Sequence, residues 1–220
     1  YQNGPIKIGD VLIKPCLSLC FHYRRGTGFF SSSALKSYVS SFDNIINEKT
    51  KIDILCSPVV TDKALIRILG ENKTDDEKRE TIRKHHQNIA LYAIGYERNE
   101  NERSYRNKLL AYMIAKNILE IRFAIPKKFD LVTDEPNEKN LYHVKNGYFE
   151  FPDETKIAFN GSFNESESGH HSHIDNTLVF RSFVESEKEK LKKITNSIDK
   201  DWEEKNEYIR VYKLSNETLK

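Results

Sequence analysis

The sequence predicts an α/β fold, a largely mixed β-sheet flanked by helices, on three observations. Strand-like runs at 20–30, interrupted by a basic turn, and at 51–56 bracket a segment of helical periodicity at 34–47, the pattern of a parallel strand pair joined by a right-handed crossover. Strand-like runs recur at 119–125, 141–151, 156–159 and 177–180, the middle two separated by the turn residues Pro152-Asp153-Glu154. A strongly charged helical run at 185–205 leads into a last strand-like segment at 208–214. Strands alternating with helices argue for two layers of structure around one sheet.

In chain order, residues 11–20 are apolar and predict a helix with an early boundary at Pro15. Cys20-Phe21-His22-Tyr23 and Gly28-Phe29-Phe30 read as strand, interrupted by a basic turn, Arg24-Arg25-Gly26-Thr27. Ser31-Ser32-Ser33 supplies N-cap candidates for the 34–47 helix, whose Leu35, Tyr38, Val39, Phe42, Ile45 and Ile46 follow the helical period. The strand at 51–56 stops at Ser57-Pro58. A helix is expected at 62–69. Two more, polar-rich, are expected from about 71 to 95 and from about 101 to 117, with ten basic and eight acidic residues between 71 and 116. That balance predicts a solvated helical insertion at 71–117 rather than a nucleic-acid grip. Leu119-Glu-Ile-Arg-Phe-Ala-Ile125 alternates as a half-buried strand does. Residues 127–140 read as a polar loop and 165–173 as a Ser/Gly/His-rich loop.

Bulk properties narrow the classes. The 220 residues suffice for one domain, taken as 1–220 with the insertion inside it. No apolar run reaches the length of a membrane span, and the start lacks a signal-peptide pattern. The first residue is not Met, so a fragment of a longer chain is expected. A net charge of +2 does not announce nucleic-acid binding, although a local basic cleft is compatible with it. Cys16, Cys20 and Cys56 are expected as buried thiols in a reducing cytoplasm; a zinc site of Cys16, Cys20 and His22 would lack an evident fourth ligand.

The chemistry concentrates at His143-Val144-Lys145 and Gly161-Ser162-Phe163-Asn164. On a strand, His143 and Lys145 leave the same face. The hairpin brings the second segment beside them, with Gly161 allowing close backbone approach. An imidazole can attack phosphorus and carry the phosphoryl group covalently. Ammonium, hydroxyl and amide donors can hold the oxygens as charge develops. A second imidazole is the best general acid near neutral pH, and a carboxylate on the far ring nitrogen fixes the tautomer. Taken alone, a His-x-Lys triplet is more often chance on an exposed strand. His170, His171 and His173 with Asp175 offer a weaker metal-site reading.

The two segments together resemble the phospholipase D superfamily, whose motif is HxKxxxxD followed by GSxN. The match here runs from His143 and Lys145 to Glu150, where the family usually has Asp, and then to Gly161, Ser162 and Asn164. The run 23–35 (YRRGTGFFSSSAL), the run 158–166 (AFNGSFNES), Asp175 ahead of Leu178-Val179-Phe180, and the late Trp202 resemble a branch found at the N-terminus of bacterial helicases and restriction proteins. The resemblance implies a phospholipase-D-like sheet and metal-independent phosphodiester cleavage with no cofactor. It implies His143 as nucleophile and Lys145, Ser162 and Asn164 as phosphate clamp. Asp175 would orient His143, with Glu165 as rival. Glu150, Glu165 and Gly161 are supporting candidates, and Arg25 is a candidate for touching substrate phosphates.

With one HxK in the chain, the general acid is expected from a second copy across a two-fold interface. The expected partners are DNA, a second copy and a C-terminal helicase domain, with no membrane. The alternative is a catalytically degenerate module that binds nucleic acid or dimerises a helicase, for which the Glu150 departure leaves room.

Overall fold

The computed structural model describes residues 7–38, 49–57, 109, 112–126, 141–172 and 175–213. The expected helix at 62–69, the insertion up to residue 108 and the loop at 127–140 lie outside these residues, as do 39–47 of the 34–47 helix. A π-helical turn, Gly9–Ile13, runs into α1 (Lys14–Leu17). Then follow β1 (His22–Thr27), a 3-10 turn (Ser32–Ala34), α2 (Leu35–Tyr38), β2 (Lys51–Cys56) and β3 (Leu119–Pro126). The rest comprises β4 (Asn146–Glu150), β5 (Lys156–Gly161), α3 (Glu167–His171), β6 (Thr177–Arg181), a 3-10 turn (Glu185–Glu187), α4 (Lys188–Trp202) and β7 (Ile209–Lys213). Among the described residues the strands form one mixed sheet in the order β6-β5-β4-β1-β2-β3-β7. β1, β2 and β3 are parallel neighbours, while β4, β5, β6 and β7 each pair antiparallel.

Strand alternation divides the core between two faces. One face carries Tyr23, Ile52, Ile54, Ile121, Phe149 and Phe159 against α1 and α2. The other carries Leu55, Ala124, Tyr148 and Ala158 against α4, which presents Leu191, Ile198 and Trp202 at helical spacing. The helix at the end of the insertion stops as expected. Asn117 takes a positive φ of 57°, Ile118 N–H reaches back to Met113 O and Asn117 N–H to Ile114 O, a Schellman close.

Four local expectations are corrected. Pro15 does not end the first helix; it sits in the first turn of α1, where its missing N–H costs nothing. The segment Arg24-Arg25-Gly26-Thr27 is not a turn but the centre of β1, flanked by β2 and β4. Its arginines are accommodated because each finds partners on its own face. Arg24 pairs with Asp53 at 2.9 Å and Asp199 at 2.6 Å on the α4 side, and Arg25 is taken up on the other. The 141–151 strand is shorter than expected: β4 begins at Asn146, so His143 and Lys145 lie in the segment leading into it. The 165–173 loop contains α3, capped by Ser166, whose hydroxyl accepts the Gly169 N–H at 3.1 Å. The Pro152–Glu154 turn is as read, with Glu154 at φ 67° and its N–H on Phe151 O.

Candidate active site

The topology gathers the chemistry at one end of the sheet. Gly26 of β1 pairs with Asn146 of β4, Asn146 with Asn160 of β5, and Gly161 with Thr177 of β6. The segment entering β4, the turn leaving β1, the loop leaving β5 and the segment entering β6 therefore meet at one edge. They deliver His143 and Lys145, Gly28, Ser162 and Asn164, and Asp175.

Gly28 marks the meeting point. A Cβ placed there would lie 3.0 Å from His143 Nδ1, 3.3 Å from Lys145 Nζ and 3.4 Å from Asn164 Oδ1. Three polar groups from two distant segments thus surround one point on the backbone. His143 is exposed, Lys145 and Asn164 half-buried. Lys145 Nζ also reaches His143 O at 3.4 Å. Partial burial and the positive charge of Arg25 hold the Lys145 ammonium below the usual lysine value, against the opposing pull of Asp175. Asn164 Oδ1 is in reach of the Thr27 hydroxyl at 3.5 Å.

Ser162 is exposed and its hydroxyl donates to Asp175 Oδ1. Asp175 is buried, and its second oxygen has no hydrogen-bond partner among the described residues. Its hydrogen bond therefore goes to Ser162 rather than to the His143 ring. Gly161 has the expected tight fit: a Cβ there would fall 2.6 Å from Thr177 Oγ1 and 3.0 Å from Asn176 O.

Three candidates are placed elsewhere. Glu150 is at the other end of β4, bound to Lys156 at 3.0 Å and 3.8 Å from His22, so Asp-to-Glu at this position leaves the site untouched. Glu165 is fully buried behind the site and receives the hydroxyls of Tyr23 at 2.9 Å and Tyr38 at 2.5 Å. It also lies 3.2 Å from Arg25 Nε and 3.3 Å from His170 Nε2. Burial would raise its carboxyl, but His170, Arg25 and the Tyr38 hydroxyl prevail and hold it at about 2. Arg25 is itself 0% exposed, which rules out the expected contact with a substrate phosphate.

The described residues of the metal readings have other partners. Among the described residues no three His, Cys, Asp or Glu side chains are grouped to hold an ion. His170 turns inward to Glu165, His171 packs on Gly9, and His173 lies outside the described residues. Cys16, Cys20 and Cys56 are buried free thiols, each pushed up to about 12 by desolvation, and His22 bonds Asp53 at 2.9 Å. Sequence reasoning assigned no role to Gly28 or Thr27. Thr27 read as the end of a basic turn and Gly28 as the start of a strand-like run, so neither pointed to the site.

No protein-family model and no curated protein matches the sequence. Among solved structures, NucT from Helicobacter pylori is similar at 11% identity and a TM-score of 0.47, over 89% of this chain and 87% of that one. A phosphatidylserine synthase of Haemophilus influenzae Rd KW20 is similar at 8% identity and a TM-score of 0.46. The match spans 95% of this chain and 38% of that one. A phospholipase D family member, Nuc from Salmonella typhimurium, is similar at 12% identity and a TM-score of 0.42, over 92% and 90%.

Proposed function

We propose that this chain is a metal-independent phosphodiesterase of the phospholipase D type, a DNA endonuclease working through a covalent phosphohistidine on His143. The observation that carries the reading is the convergence of His143, Lys145 and Asn164 within 3.4 Å of one point at Gly28. Such a set supplies a nucleophile and a phosphate clamp without calling for an ion.

In the first step a ring nitrogen of His143 attacks phosphorus. A P–N bond forms, the P–O bond to the leaving alcohol breaks, and that oxygen takes a proton from a second imidazole. Lys145, Ser162 and Asn164 hold the non-bridging oxygens as charge builds on them. Water then attacks phosphorus, gives its proton to the second imidazole, and releases His143. We assign the second imidazole to His143 of the partner subunit, because the chain has one HxK. We assign the unpartnered oxygen of Asp175 as acceptor for the His143 ring N–H during the reaction. DNA as substrate, the restriction or phage-defence setting, a following helicase domain and a cytoplasmic location rest on the sequence resemblance. Among the described residues no helix is long and apolar enough to cross a membrane.

The non-enzymatic alternative drew on the Glu150 departure, and that residue stands away from the convergence point, which weakens it. The deciding experiment is cleavage of a DNA duplex and of bis-p-nitrophenyl phosphate in excess EDTA. Cleavage that persists supports the reading, and strict dependence on added metal contradicts it. Analytical ultracentrifugation of the same sample is expected to show a dimer; full activity in a monomer would overturn the shared site.

Gly28→Ala gives a second, sharper test. The backbone there is outside the left-handed region, so alanine fits the chain, but its methyl would press on His143 and Lys145. Cleavage is expected to fall about 100-fold, the scale of misplacing reacting groups by an ångström, with a Tm close to that of the parent. An active Gly28→Ala protein would remove Gly28 from the site.

A further inference from the structure

Directly under the site the chain buries a full positive charge that the reaction does not use. Arg25 leaves the centre of β1 away from α4. Its guanidinium lies over the rings of Phe163 at 4.3 Å and Phe159 at 4.9 Å. Nη2 donates to the Phe163 carbonyl at 2.6 Å, and Nε sits 3.2 Å from Glu165 Oε2. Phe163 and Glu165 flank Asn164, so one planar cation grips the loop on both sides of a clamp residue. A lysine would supply the charge but not the two-ended fork or the flat stack.

The rest of the loop is fixed around this grip. Glu165 N–H donates to Thr27 Oγ1 at 3.1 Å and to Phe29 O at 3.2 Å. Gly169 packs on the Asn164 backbone so closely that a Cβ would fall 2.3 Å from Asn164 O. Gly147 leaves room for the Phe159 ring on which Arg25 lies, since a Cβ there would meet Phe159 Cζ at 2.6 Å. A buried ion pair is a poor way to gain stability compared with apolar packing, so its retention calls for another role.

We propose that Arg25 is a positioning residue of this site, setting the Ser162–Asn164 loop against His143 and Lys145. The inference rests on the function proposed above. Two charged groups act on Lys145, Arg25 from β1 and Asp175 from the segment before β6, while the His143 ring and the neutral Asn164 amide converge with it at Gly28. Arg25 acts to ease proton loss from Lys145 and Asp175 to oppose it. Removing the Arg25 charge therefore keeps Lys145 protonated to higher pH.

The experiment compares the parent with Arg25→Lys, which keeps the charge and loses the fork, and with Arg25→Met/Glu165→Gln, which removes both charges together. Activity on bis-p-nitrophenyl phosphate is followed as kcat and KM against pH, on protein shown to be folded by near-UV circular dichroism. Arg25→Lys is expected to lose about 10- to 100-fold in kcat with a much smaller change in KM, and to keep the alkaline limb where it was. The double variant is expected to lose a similar factor in kcat. Folded variants with kcat and pH profile unchanged would overturn the proposal. So would failure of both to fold, which would make Arg25 a folding residue only. A parent inactive in EDTA would instead sink the proposed function, so the two failures are distinguishable.

Discussion

His143→Ala is expected to reduce phosphodiester cleavage on the order of 10⁴-fold or more, the scale of losing a covalent nucleophile. The protein should lose almost no stability. His143 is exposed and lies outside the strands, and substitutions of that kind usually stay within about 0.5 kcal/mol. A large activity loss at constant Tm separates a chemical role from a structural one. In a mixed dimer of parent and His143→Ala chains, the shared site lacks one of its two imidazoles, so activity should fall well below half. Half activity would mean that each His143 works without the other.

The second large effect is on stability. Glu165→Gln keeps the shape of the side chain but leaves Arg25 as an uncompensated charge in a fully buried site. Loss of one partner of such a pair costs about 3–5 kcal/mol, which for a chain of this size lowers Tm by about 10 °C. The pH dependence has a definite sign. The Glu165 carboxyl sits at about 2 in the folded protein against an ordinary value of 4.5. Its contribution, on the order of 3 kcal/mol, is therefore complete above about pH 4.5 and lost as pH falls toward 2. Denaturation at pH 7 and at pH 3 should show the gap between parent and Glu165→Gln narrowing at the lower pH. An equal gap at both would mean that the carboxylate charge is not what the site uses.

These expectations show how unevenly the chain reveals itself. The 51–56 strand, the Pro152–Glu154 hairpin, the Asn117 helix end and the existence of α4 were readable, because local periodicity and turn residues decide each of them. The meeting of His143, Lys145 and the Ser162–Asn164 loop was readable for a partly different reason from the one that applies. The two side chains do not share a strand face; they share an approach to Gly28 from the segment before β4. For Arg25 the sequence left a phosphate contact and a structural or exposed role equally open, because nothing nearby in sequence decides between them. The Arg25 partners Phe159, Phe163 and Glu165 come from the far side of the hairpin, and only the β1–β4–β5 pairing brings them under it. α3 was missed because five residues carry too little periodicity. Its order comes from the Ser166 cap and from His170 turning inward to Glu165. Long-range electrostatics placed the residues that local pattern could not.

In the proposed reaction His143 becomes covalently linked to substrate phosphorus. Rapid quenching of the metal-free protein during turnover, followed by mass spectrometry under conditions that preserve P–N bonds, tests it directly. A substrate-derived phosphoryl group is expected on the peptide carrying His143, formed and lost at the rate of turnover and absent from His143→Ala. Cleavage that continues in His143→Ala, with no phosphorylated peptide at any time point in the parent, would contradict it.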